Sequence, residues 1–179
     1  MSEIRVDTIS EKTSTSGVTI DSLLIKDQKI TNHTGMIAQC EQQQYETFTQ
    51  IASSSTYTDT GVTDTITPSS TSSKILVMFG LQLGTNQTGA QNLQCRLLRG
   101  STVIRVVDNI HNSNGAALEA NPYIAFLDSP STTSAVTYKV QMHGTSSAIF
   151  RINNFNTNSG EAYSSMTLLE VLWFLQVTL

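Results

Sequence analysis

Through most of the chain apolar and polar residues alternate, the period of a half-buried β-strand. Val136, Tyr138, Val140 and Met142 alternate with Thr137, Lys139, Gln141 and His143. That pattern predicts a strand with one wet face. Residues 93–98 and 102–107 flank Arg99-Gly100-Ser101 and predict a hairpin. Residues 74–81 are nearly all apolar (Ile75-Leu76-Val77-Met78-Phe79-Gly80-Leu81). Such a run predicts a central strand covered on both faces. Further strands are predicted over 45–51, 62–67, 123–127, 148–155 and 166–171, with stops at Pro68-Ser69-Ser70 and Asp128-Ser129-Pro130. Helical periodicity is absent between them, and residues 116–121 have room for one turn. The pattern therefore predicts an all-β chain whose main body is an antiparallel β-sandwich or jelly roll. Residues 84–92, 108–121 and 153–164 are dominated by Asn, Gly, Ser and Gln and read as long loops.

The first 44 residues follow a different rule. Apolar residues come singly or in pairs (Ile4, Val6, Ile9, Val18, Ile20, Leu23-Leu24-Ile25, Ile30), separated by turn formers such as Ser14-Thr15-Ser16-Gly17. These are short strands with too few apolar groups to close a core alone. A segment of this kind is either a flexible tail or buries its apolar residues against other chains, and Val18-Thr19-Ile20 and Leu23-Leu24-Ile25 favour ordering by partners. The chain divides into an N-terminal β stem, 1–44, and a sandwich head, 45–179.

Composition narrows the function. Ser and Thr make up about a quarter of the 179 residues, charged residues are 13%, and the net charge is −4. Ten Lys and Arg against fourteen Asp and Glu do not supply the basic density that phosphate contacts need, so no nucleic-acid partner is expected. No apolar run approaches the ~20 residues of a helical membrane span, and no membrane insertion is expected. Residues 1–7 lack the basic and apolar regions of a secretion signal, which predicts synthesis in a cytoplasm. Cys40 and Cys95 make no disulfide framework, and Cys95 reads as a small buried hydrophobe.

No catalytic constellation stands out. His33, His111 and His143 have no ligand spacing with one another or with the cysteines. A nucleophile elbow, a phosphate loop and a dinucleotide fingerprint are all missing. Glu119, Asp108 and Glu161 fall in the loops, where a carboxylate is ordinarily a solvated charge. The expectation is a protein with no catalytic residues, metal or cofactor. The loops suit binding better: neutral Asn, Ser, Gln and Thr match sugar hydroxyls, and Tyr123, Phe155 and Tyr163 border them. Solubilising loops on a rigid scaffold account for the same residues equally well.

Ile4-Arg5-Val6-Asp7-Thr8-Ile9-Ser10, Gly17-Val18-Thr19-Ile20-Asp21 and Leu24-Ile25-Lys26-Asp27 resemble the N-terminal segments of bacteriophage virion proteins, above all fibre-type proteins of marine phages and cyanophages. The second half resembles the trimeric fibre-head domain of such phages. The stretches that carry this are Thr65-Ile66-Thr67-Pro68-Ser69-Ser70-Thr71-Ser72-Ser73-Lys74-Ile75-Leu76-Val77, Arg96-Leu97-Leu98-Arg99-Gly100-Ser101, Phe126-Leu127-Asp128-Ser129-Pro130, Tyr138-Lys139-Val140-Gln141 and Ser165-Met166-Thr167-Leu168-Leu169-Glu170-Val171. The resemblance implies a homotrimer with a jelly-roll head of tumour-necrosis-factor-like shape, on the exterior of a virion. It implies a virion anchor in the N-terminal segment, with Ile4, Val6, Ile9, Val18 and Ile20 as its apolar residues, docking on other virion proteins. In a fibre the end of the head away from the stem is free, so the host-facing surface, for a surface glycan or protein, is expected on the loops 84–92, 108–121 and 153–164, with Asn112, Asn114, Asn154, Asn156 and Tyr163 as candidate contacts. Residues 172–179 run past the usual end of the family's last strand. A short fibre or spike is the main reading. A capsid decoration protein without a receptor and a surface-glycan hydrolase are the alternatives.

Overall fold

The structure is a computed structural model. It describes residues 35–51, 54–85, 90–114, 119–144, 150–153 and 162–173, together with three short strands nearer the N-terminus. Every regular element among the described residues is a strand. In chain order these are β1 (Val18–Ile20), β2 (Leu23–Lys26), β3 (Lys29–Ile30), β4 (Ile37–Tyr45), β5 (Thr49–Ile51), β6 (Ser54–Ile66), β7 (Lys74–Gly80), β8 (Leu83–Thr85), β9 (Ala90–Arg99), β10 (Thr102–Asn114), β11 (Glu119–Ala120), β12 (Tyr123–Asp128), β13 (Val136–Gly144), β14 (Phe150–Ile152) and β15 (Ser164–Val171). All pairings are antiparallel. The chain is all-β and its body is a sandwich.

One sheet has the order β12-β7-β15-β4, the facing sheet β10-β9-β13-β6. A third set, β11-β8-β14-β5, repeats the order of the first, because each of its strands lies just beyond the end of a first-sheet strand. It is the first sheet continued past a bend. The core lies between the layers. Ile75, Val77, Phe79, Met166 and Leu168 come from the first sheet, Ile51, Leu83, Phe150 and Ile152 from its continuation. Val62, Ile66, Leu93, Cys95, Leu97, Val136, Tyr138, Val140 and Met142 come from the facing sheet. The alternation read over 136–143 is the observed inward and outward alternation of β13. Cys95 is buried as expected, and burial pushes its thiol up to about 12. The hairpin at Arg99-Gly100-Ser101 forms between β9 and β10, with Gly100 at φ 58°.

Polar groups fix the bend. Asn153, nearly buried and at φ 59°, donates its backbone N–H to the Gln82 carbonyl at 2.9 Å. Its side-chain Nδ2 donates to the Thr47 carbonyl at 3.1 Å, and its Oδ1 accepts from Ser164 Oγ at 2.7 Å. Ser164 Oγ in turn accepts from the Gln82 N–H at 3.0 Å. Backbone groups that leave the ladder at the bend thus find partners inside the protein.

Several boundaries differ from the pattern. The strand expected over 45–51 is two strands, β4 and β5, on either side of the bend. Residues 37–44, grouped by the pattern with the N-terminal segment, pair with β15 along the first sheet. The strand expected over 62–67 starts at Ser54; a bulge lies where Thr60 Oγ1 donates to the Val140 carbonyl at 2.9 Å. The loop expected over 108–121 is a correction. Residues 108–114 continue β10, and His111 to Asn114 pair with Leu93 to Ala90. A register shift between Val107 and His111 breaks the alternation there, so composition alone suggested a loop. The central run over 74–81 is covered on its inner face only. Ile75, Val77 and Phe79 are buried, while Leu76 and Met78 on the outer face are half-buried among neighbours of their own sheet.

Candidate functional site

The two outer faces of the sandwich are chemically unlike. On β10-β9-β13-β6 the outward side chains bind one another. Lys139 Nζ and Gln141 Nε2 donate to Asp59 at 3.2 and 2.6 Å. Arg96 Nε donates to Gln141 Oε1 at 2.8 Å, and its guanidinium lies 4.1 Å from the Tyr57 ring centre. His143 Nε2 meets Gln94 Oε1 at 2.6 Å, with its ring edge-on to Tyr57. Thr65 and Thr137 share a hydrogen bond at 2.8 Å. The Gln141 amide, then the Lys139 ammonium, hold the Asp59 carboxyl below the ordinary carboxylate range. Most of the polar groups on this face are paired within the chain. Among the described residues of this sheet, the buried His143 Nδ1 and Asp64 Oδ2 have no hydrogen-bond partner, and Val103 and Val106 of β10 are its exposed large apolar residues.

The outer face of β12-β7-β15-β4 has no such network. The register sets four residues side by side in each row: Leu127, Leu76, Leu169 and Cys40; Ala125, Met78, Thr167 and Gln42; Tyr123, Gly80, Ser165 and Gln44. None of the twelve is charged. Leu127 is 49% exposed and Tyr123 65% exposed. At the aliphatic end Val171 pairs with Ile37, which is 57% exposed, and Trp173 follows, 45% exposed. Lys74 stands at that rim, donating to Ser129 Oγ at 2.6 Å with its ammonium 5.9 Å from the Trp173 ring centre. The row of Leu127, Leu76, Leu169 and Cys40 is apolar, whereas Thr167, Gln42, Ser165 and Gln44 make the β15–β4 half of the other two rows polar but uncharged.

The ionic groups elsewhere act as structural ties. Asp128 accepts from Arg99 Nη1 at 3.1 and 3.0 Å and from the buried Tyr138 hydroxyl at 2.7 Å. The three join β12 to β9 and β13, and burial, then Asp128, raise the Tyr138 phenol well above its usual range. Among the described residues no three His, Cys, Asp or Glu side chains gather as a metal-ligand set.

Of the candidate contacts, Tyr163 is 51% exposed. It stands two residues before Ser165, on the same outer side as Tyr123. Asn112 and Asn114 are strand residues of β10, opposite Asn92 and Ala90, rather than loop residues. Val18 and Ile20 lie in β1, opposite Ile25 and Leu23. Asn154, Asn156, Ile4, Val6 and Ile9 lie outside the described residues. The sequence reading took residues 74–81 as covered on both faces but did not identify the uncharged rows that flank them on the outer one. Its signal was the apolar residues at both parities of 74–81, which named a second covered face without saying what covers it.

No protein-family model matches the chain, and no curated protein matches it by sequence. Among solved structures, dimeric latent PorU from Porphyromonas gingivalis aligns over 83% of this chain and 15% of its own, at 8% identity and a TM-score of 0.39. The T=1 particle derived from infectious bursal virus aligns over 88% of this chain and 42% of its own, at 8% identity and a TM-score of 0.40. The VP2 subviral particle of infectious bursal disease virus gives 87%, 42%, 10% identity and 0.40. The chain therefore spans less than half of each of these proteins, and at such scores none of the three assigns it a function.

Proposed function

We propose that this chain is a structural protein of a bacteriophage virion, a short homotrimeric fibre or spike on the particle exterior whose head meets the host surface. The observation that carries the self-association is the aliphatic end of the outer face of β12-β7-β15-β4, around Leu76, Leu127, Leu169 and Val171, set against the hydrogen-bonded polar face behind it. Copies with a net charge of −4 repel at long range and must meet where charge is absent. Covering Leu76, Leu127, Leu169 and Val171 contributes on the order of 1 kcal/mol per side chain. The number three, the virion setting and the anchoring of the N-terminal segment on other virion proteins rest on the sequence resemblance. The protein carries out no catalysis in this reading.

Light scattering on the purified full chain is expected to give a trimer at micromolar concentration. Leu76→Glu places a charge within the aliphatic end of the face and is expected to give a folded monomer. A monomeric wild type, or a Leu76→Glu trimer, contradicts the proposal. Imaging of labelled particles separates a fibre from a capsid decoration protein, which has the same trimer but no role in adsorption.

A further inference from the structure

Neither the backbone conformation nor the space for a Cβ requires a glycine at Gly80. It ends β7, a central strand, where the missing side chain weakens a sheet. Its backbone is outside the left-handed region. A Cβ built on it would meet Tyr123 Cδ2 at 3.7 Å and Ser165 Oγ at 3.9 Å, ordinary van der Waals distances. What the glycine does provide is a low floor on the outer face, with the Tyr123 ring along one side and Ser165 on the other. Ser165 stands two strands across the sheet from Tyr123, about 10 Å away, and Tyr163 precedes it by two residues, just before β15. Ser165 and, opposite it in the same cross-strand row, Gln44 continue the floor, and neither side chain has a hydrogen-bond partner among the described residues. Tyr123 and Tyr163 are 65% and 51% exposed, so both rings offer area to a ligand.

We infer that this trough at the bend binds a neutral polysaccharide chain. The ring of a sugar has an apolar C–H face and an equatorial belt of hydroxyls. Two exposed tyrosines suit the first, and the Gln44 amide and Ser165 hydroxyl suit the second. An anionic chain would require cations, and the row of Tyr123, Gly80, Ser165 and Gln44 has none. An aliphatic protein anchor would favour the opposite end of the face, where Leu76, Leu127 and Leu169 lie. The inference deepens the host-contact part of the proposed function, and it rests on that reading only for the source of the sugar.

The test is affinity electrophoresis of the full chain through gels containing dextran, mannan or galactan, with alginate as the anionic comparison. At least one neutral polymer is expected to retard the protein, and alginate is not. Tyr123→Ala and Tyr163→Ala are each expected to weaken the interaction roughly tenfold, Tyr163→Trp to retain it, and Gly80→Gln to abolish it, with the size of the assembly unchanged. No retardation by any of the three neutral polymers overturns the inference. So does undiminished retardation of the tyrosine variants. If Gly80→Gln changes the size of the assembly and leaves retardation intact, a second copy occupies the trough and the inference fails. Should Gly80→Gln not fold, Tyr163→Ala decides, since its side chain is exposed and lies outside the strands. Light scattering on the same samples reads the trimer independently.

Discussion

Glu170 is a carboxylate inside a sandwich, and its surroundings explain why it stays charged. It is fully buried on β15. Oε1 accepts from the Ser69 N–H and Oγ, both at 2.7 Å, and Oε2 accepts from Gln39 Nε2 at 2.7 Å. Burial alone would raise its pKa; the hydrogen-bond donors around it, those of Ser69 and Gln39 among them, outweigh burial and hold it below the ordinary range. The folded chain therefore binds this proton less readily than the unfolded chain does. The resulting stabilisation is complete above the ordinary carboxylate pKa of about 4.3 and is lost as pH falls through the lower, folded value. Urea midpoints measured from neutral to acid pH should fall over that window for the wild type. Glu170→Gln should lower the midpoint at neutral pH and flatten the acid decline. The sequence shows Glu170 within a strand pattern, yet nothing local says that a turn a hundred positions away supplies its donors.

The bend is the element that distinguishes this sandwich, and Asn153 holds it. Asn153→Ala removes two side-chain hydrogen bonds at a nearly buried position and puts a Cβ-bearing residue without a side-chain partner at φ 59°. The expected cost is about 2–4 kcal/mol. Asn153→Gly keeps the backbone conformation easy and should cost about half as much, so comparing the two in urea separates strain from bonding. Strands that carry their own alternation were legible: β13, the β9–β10 hairpin and β15 stand where the pattern put them. The bend was not, because Leu81-Gln82-Leu83 continues the alternation of β7 straight through it. The far half of β10 was not legible either. Asn112, Ser113 and Asn114 favour turns, and only pairing with the opposite strand makes them extended.

For the whole molecule, the distribution of apolar groups separates what folds the head from what joins it to other chains. Nearly all of the buried core comes from residues between Ile51 and Leu168. Removing residues 1–30 is therefore expected to leave a soluble, folded protein, read by circular dichroism and a cooperative thermal transition, that no longer enters virions. An insoluble product, or normal incorporation, would contradict this division. The same geometry has a mechanical side. β4 is the strand through which the N-terminal end enters the sandwich, and eight residue pairs join it to β15, from Ile37 with Val171 to Tyr45 with Ser164. Gly35 and Leu172 extend that ladder by a backbone bond of 2.7 Å. A pull on the N-terminal end directed along β4 loads all these rungs at once, in shear. A pull across the sheet opens them one at a time from Ile37. A head tethered by this end thus has a strong direction and a weak one, and its lifetime under tension is set by the rate at which the β4–β15 ladder gives way rather than by the overall free energy of folding.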